Sequence, residues 1–217
     1  MKADFHVHSI YSPDSLSRPA DLMEKAHALG LGKLIITDHN TIAGALEFQK
    51  SAPDFVIVGE EIKTKGGGEV LAIFVSELVP RDLTPEETFA RLHEQGAFIS
   101  MSHPYAFGRY GWTEEQMMRY RDQFDAIEIC NARNPKLLNN PAVNFAEEHN
   151  IPGTAGSDSH GVKELGAMGL ELPEFNTAEE LRAVIRQGKV FGKESSAFVR
   201  VYSRAGAFAE KFHLKRY

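Results

Sequence analysis

Short apolar runs alternate along this chain with longer amphipathic stretches that carry helix-start signals, and this alternation constrains the fold most. The runs are Phe5–Val7, Leu34–Thr37, Phe55–Val58, Val70–Val75, Ala97–Ser100, Ala126–Ile129 and Gly153–Ala155. Most are rich in Val, Ile and Phe and short enough to be buried strands. Between them, Pro19 suits the first turn of a helix running to Leu29, with Gly30 behind it. Thr84-Pro85-Glu86-Glu87 reads as a capping box with proline at the first helical position. That helix should run to about Gln95 and stop at Gly96. Thr113-Glu114-Glu115-Gln116 and Thr177-Ala178-Glu179-Glu180 are boxes of the same kind, and Gly188 closes the second helix. Asn140-Pro141 predicts the start of a further helix ending at Asn150. Phe198–Tyr202 reads as a last strand, and Lys211–Tyr217 as a loose basic tail. Strand and helix in alternation imply an α/β fold with a mostly parallel sheet. Periodicity leaves a closed or distorted barrel and a doubly wound open sheet both open.

Composition narrows the function classes. The net charge of −6 argues against a general nucleic-acid-binding surface, though a metal site could still attract a small phosphorylated substrate. Cys130 is the single cysteine, so no intrachain disulfide can form, which fits a reducing compartment. Val70–Val75 is far shorter than the ~20 residues of a membrane span. The stretch Met1–His6 has no apolar signal region, so a cytoplasmic protein is expected.

The nine histidines are placed unevenly. His27, His93 and His149 fall within predicted helices and read as surface or partly buried polar residues, and His213 falls in the tail. His6, His8, His39, His103 and His160 fall in or just after predicted strands, where parallel α/β folds build their sites. Glu60-Glu61 and Asp158 share that address. Residues two apart on a strand share a face, so His6 and His8 project together while Phe5 and Val7 turn the other way into apolar packing. Asp158-Ser159-His160 repeats the spacing. Imidazoles mixed with carboxylates suit Zn²⁺, Mn²⁺ or Fe²⁺. A cluster of this size exceeds the needs of one tetrahedral ion and points to two or three.

The stretches Asp4-Phe5-His6-Val7-His8-Ser9, Ile36-Thr37-Asp38-His39-Asn40-Thr41, Gly59-Glu60-Glu61-Ile62, Ser102-His103-Pro104 and Gly156-Ser157-Asp158-Ser159-His160 resemble the PHP family, the polymerase and histidinol phosphatase superfamily of metal-dependent phosphoesterases. Glu164–Glu194 is similar to the segment that often follows in short members. The resemblance implies a single PHP domain over 1–217, with 161–217 as associated segment and tail. It also implies a distorted (β/α)7 barrel with the metals in its mouth. Carried over by motif, His6, His8, Glu61 and Asp158 would hold one ion, and Glu61 would bridge to a second held by His103. Asp14, His39 and His160 would hold a third. Asp38 is assigned to orienting groups behind the ligands. The histidine that many members carry on the fourth strand is absent here, leaving Glu69, Glu128 or Cys130 to stand in.

The implied chemistry is hydrolysis of a small-molecule phosphate ester, such as a nucleotide or sugar phosphate, by a metal-bridging hydroxide. Exonuclease-like trimming of short oligonucleotides and a non-catalytic metal-binding module are the alternatives. Arg133, then Arg109 and Lys63, are the expected phosphate-binding cations. The aromatic segment Pro104–Trp112 is expected either to stack on a flat substrate ring or to pack onto the barrel rim.

Overall fold

The computed structural model describes residues 1–106 and 109–195. Phe107, Gly108, the expected strand Phe198–Tyr202, His213 and the basic tail lie outside those residues. The sheet begins with β1 (Lys2–Val7), β2 (Leu31–Ile36) and β3 (Val56–Lys63), each parallel to the next. Next comes β4 (Glu69–Ile73), antiparallel to both β3 and β5 (Phe98–Met101). Parallel pairing resumes through β6 (Ala126–Asn131) to β7 (Gly153–Gly156). Two strands that the sequence did not reveal, β8 (Met168–Glu171) and β9 (Lys189–Gly192), add to the other side of β1, both antiparallel. The order is β7-β6-β5-β4-β3-β2-β1-β8-β9. The sheet nearly closes where the chain after β7 meets β1: His8 N donates to Ser159 O at 2.9 Å. Gly156 makes that approach possible, because a Cβ there would lie 2.4 Å from His6 Cβ. The fold is therefore the expected distorted α/β barrel, and its sheet carries nine strands among the described residues.

The helices are α1 (Pro19–Ala28), α2 (Ala43–Ser51), α3 (Pro85–Glu94), α4 (Glu114–Arg119), α5 (Lys136–Glu148) and α6 (Ala178–Val184). The boxes at Thr84 and Thr113 are both complete. At Thr177 only half forms: its side chain accepts from Glu180 N, while Glu180 accepts from Asn176 N. One helix start needs correction. α5 begins at Lys136, not at Asn140-Pro141, and Pro141 lies inside it. Leu138 and Asn139 both donate to Pro135 O, so the first turn is already wound before the proline. Proline tolerance near a helix start allows either position, and sequence cannot choose between them.

Two apolar layers follow from the period of the strands. Leu34 and Ile36 face outward with Val58 and Ile99, covered by Leu22 of α1, Phe48 of α2, Phe89 of α3 and Phe145 of α5. Ile35 faces inward with Phe5, Ile57, Ile73 and Phe98. Phe175, Leu181 and Ile185 complete this inner layer as the barrel floor. Arg182 of α6 locks the floor to the strand starts through Asp125, just before β6, at 2.8 Å. Burying each such side chain contributes roughly 1.5–3 kcal/mol.

Phe5 and Val7 do not share a layer as the spacing predicts: Phe5 is inside and Val7 outside. The pairing of β1 with β2 slips between Asp4 and Val7, where three steps on β1 face two on β2. This bulge lets consecutive residues serve the interior, Phe5 in the floor layer and His6 in the mouth.

Candidate metal centre

The carboxyl ends of the parallel strands converge on a cavity of about 690 Å³ lined by Asp14, His39, Glu61, Glu69, His103 and Asp158, among others. Glu61 lies at its centre. Its Oε1 is 3.3 Å from His6 Nε2 and 3.1 Å from His103 Nε2. Its Oε2 is 3.4 Å from His8 Nε2 and 2.9 Å from His39 Nδ1. Asp158 Oδ1 is 3.7 Å from His6 Nε2 and 3.4 Å from both His8 Nε2 and His160 Nδ1. Asp14 Oδ2 reaches His160 Nε2 at 3.1 Å and His39 Nε2 at 3.6 Å. All eight residues singled out from sequence thus meet in one mouth. Among the described residues, three subsets could each hold an ion: His6-His8-Asp158, His8-His39-His160 and His39-Glu61-Glu69. The first and second overlap the groups implied by motif, with His8 joining the second; the third brings in Glu69.

The surrounding shell sets how the rings point. Glu128 Oε1 is 2.9 Å from His6 Nδ1, so Nδ1–H donates outward and Nε2 faces the mouth. Ser12 does the same for His8. Its hydroxyl donates to Asp38 Oδ1 at 2.9 Å, so at 3.1 Å His8 Nδ1 must be the donor. The Nε2 atoms of His6 and His8 are buried and have no hydrogen-bond partner. Buried polar atoms are rarely left so, and a lone pair aimed at two carboxylates fits a cation between them. Asp38 accepts from Ser9 N and Ser9 Oγ at 2.6 Å and sits behind the ring rather than in it. Asp158 and His103 adopt left-handed backbone, φ 52 and 25. Such backbone is uncommon for non-glycine residues.

Electrostatics agrees. Burial opposes charge on His6, but Glu61, Asp158 and Glu128 outweigh it and raise its pKa. Burial and Arg109 oppose charge on His103, yet Glu61 and Glu69 push it up to about 9. His8 goes down, through burial and the neighbouring His160 and His39. Burial disfavours ionised Asp158, but Arg109 and His6 hold it well below the usual carboxylate range. The mouth is thus a concentration of negative charge offset by protons and by the guanidiniums of Arg109 and Arg133.

The three stand-ins for the absent histidine separate. Glu69 Oε2 faces the mouth, 3.4 Å from His103 Nε2. Glu128 lies behind, where its Oε2 accepts from His103 N at 2.8 Å and Asn131 Nδ2 at 3.1 Å. Cys130 packs against the inner apolar layer, its thiol pushed up to about 11 by burial. Ser12, Ser102 and Asn131 were not legible as site residues, although Ser102 donates to Glu61 Oε1 at 2.8 Å and Asn131 to Asp158 Oδ2 at 3.1 Å. Their one signal is adjacency to motif residues or a strand end.

Of the expected cations, Arg109 and Arg133 line the cavity. Arg109 donates through both terminal nitrogens to Asp158 Oδ2, and Arg133 lies against His160. Lys63 does not line it; its ammonium sits 3.8 Å from the centre of the Tyr110 ring. The aromatic segment divides. Trp112 is buried between Phe89 and Tyr120, whereas Tyr110 is 51% exposed at the cavity wall. His27 and His93 are exposed, and half-buried His149 packs at a tilt against the ring of Phe145.

The PHP domain family model matches residues 4–132, and the PHP-associated model matches residues 136–190. The uncharacterized protein MJ0417 of Methanocaldococcus jannaschii is 33% identical over 184 residues, 81% of this chain and 72% of that one. The DNA polymerase III subunit alpha of Buchnera aphidicola subsp. Schizaphis graminum is 38% identical over 95 residues, 42% of this chain but 7% of the polymerase. A two-domain Bacteroides vulgatus protein containing a predicted PHP-like metal-dependent phosphoesterase shares the fold, with a TM-score of 0.73 at 21% identity. That match covers 89% of this chain and 65% of the other. With more than half of its length matched by the family model, and with its motif residues gathered in one barrel mouth, the chain belongs to the PHP family.

Proposed function

We propose that this chain hydrolyses phosphate esters of small molecules, using two or three divalent ions held in the barrel mouth by His6, His8, Asp14, His39, Glu61, His103, Asp158 and His160. The observation that carries the reading is the pair of unpartnered Nε2 atoms of His6 and His8, both aimed at Glu61 and Asp158. Ions there would supply a water deprotonated near neutral pH and would neutralise charge on the phosphoryl oxygens. The protein's own contribution is orientation and charge. Glu128 and Ser12 keep the two lone pairs facing inward, and Arg133 and Arg109 offer guanidinium donors to a phosphate. The cavity suits a small molecule rather than a polymer. Tyr110, Pro135 and Leu138 give it an apolar wall for a flat ring, which favours a nucleotide.

The test is metal content by mass spectrometry on protein purified without a histidine tag. Turnover of a generic phosphate monoester and diester is assayed on the same sample, before and after Mn²⁺. Two or three ions per chain with turnover are expected. No ion and no turnover after reconstitution would leave a non-catalytic module, as the match to a polymerase subunit would then suggest.

A further inference from the structure

β4 is the one strand among β1 to β7 that runs against its neighbours, and this reversal carries a consequence for the mouth. Parallel strands present their last residues there; β4 presents its first, Glu69, paired with Lys63 at the end of β3. Glu69 Oε2 is 3.4 Å from His103 Nε2, and Oε1 is 4.0 Å from His39 Nδ1. Glu61 spans the same two rings at 3.1 and 2.9 Å. Glu69, Glu61 and His39 can therefore reach one ion together, with His103 Nε2 within 3.4 Å of both carboxylates, and Glu69 is 7% exposed.

Its backbone is fixed on both sides. Glu69 N donates to Tyr110 O at 2.8 Å, and Glu69 O accepts from Ser102 N at 3.0 Å and from Trp112 Nε1 at 2.6 Å. Gly68 lets the indole come this close, since a Cβ there would lie 2.6 Å from the ring. The side chain is thus aimed by main-chain bonds rather than placed by chance at a rim. A buried carboxylate held beside other carboxylates is costly unless a cation joins them.

Resting on the metal-centre reading above, we infer that Glu69 is a ligand of the ion shared by Glu61 and His103, and that this carboxylate raises the preference for Mn²⁺ relative to Zn²⁺ above what an imidazole there would give. Replacing an imidazole by a carboxylate hardens the donor set, and hard oxygen sites favour Mn²⁺ or Mg²⁺ where nitrogen-rich ones suit Zn²⁺.

The experiment titrates the chelator-treated full chain with Mn²⁺ or Zn²⁺ and counts retained ions by mass spectrometry, with Mn²⁺ binding followed by electron paramagnetic resonance. Wild type should retain at least two Mn²⁺. Glu69→Ala should lose one and keep the rest, and Glu69→Gln, closest in shape, should weaken the same ion at least tenfold should the alanine variant not fold. Glu69→His should restore the count and shift the preference toward Zn²⁺ by tenfold or more. Variants that retain the wild-type number of Mn²⁺ at wild-type affinity would overturn the role of Glu69 while leaving the metal centre standing. Wild type that binds no ion would overturn both.

Discussion

The mouth and the floor lie at opposite ends of the same barrel and are built from opposite kinds of side chain. At the floor, Phe5, Phe98, Phe175, Leu181 and Ile185 fill the interior and are almost wholly buried. At the mouth, His6, His8, Glu61, His103, Asp158 and His160 are equally inaccessible, at 0–5% exposure, but carry or can carry charge. The floor lowers the free energy of the fold by removing apolar surface from water. The mouth raises it, because ionisable groups are desolvated and brought together until cations join them. Stability and chemistry are therefore assigned to different ends, and substitutions at the two ends should fail in different ways.

The largest effect is expected at the mouth. Asp158→Ala or His8→Ala should cut turnover to below a thousandth while circular dichroism stays that of the wild type. Loss of the fold would mean that the mouth is structural after all. At the floor, Phe175→Ala should cost about 3–5 kcal/mol of stability, read by denaturant unfolding. Below its melting range, kcat and metal content should be unchanged, and a change in ion number would show that the two ends are coupled.

A third prediction contrasts adjacent residues on β3. Glu61 faces the mouth; Glu60 faces away, where Val79 N donates to its Oε2 at 3.0 Å and its Oε1 has no partner. Burial pushes Glu60 up to about 8 from an ordinary 4.5. Between those values the folded chain holds a proton that the unfolded chain has lost, so stability falls as pH rises through that window. Glu60→Gln should remove the slope and gain on the order of a few kcal/mol above pH 8 relative to wild type. Parallel stability curves for the two proteins would contradict it. The smallest effect is expected for Arg133→Ala: about a tenfold loss in kcat/KM for phosphorylated substrates, roughly 1.4 kcal/mol, with ion number unchanged. An unchanged kcat/KM would move the phosphate contact to Arg109.

Much of this contrast is legible in the chain. Several strands mark themselves by apolar runs followed within a few residues by His, Asp or Glu, and the boxes at Thr84 and Thr113 fix their helix starts to the residue. What stays hidden is non-local. Nothing in Val70–Val75 tells a reversed strand from a parallel one, so Glu69 could be offered as a stand-in ligand but not placed. The bulge in β1 depends on pairing with β2, so the split of Phe5 from Val7 is invisible to a period-2 reading. α2 lacks a side-chain cap at Ile42 and has only a weak apolar stripe, so it gives no start signal. Glu128 can be offered from sequence as a stand-in ligand, but only the placement of β6 shows that it sits behind His6.

Crowded charge in the mouth should be relieved only when cations occupy it. Thermal unfolding of chelator-treated wild type and Asp158→Ala, each with and without Mn²⁺, tests this most directly. Mn²⁺ should raise the wild-type Tm by several degrees through binding to the folded state, and move the Asp158→Ala protein far less. Equal curves with and without Mn²⁺ for the wild type would contradict it.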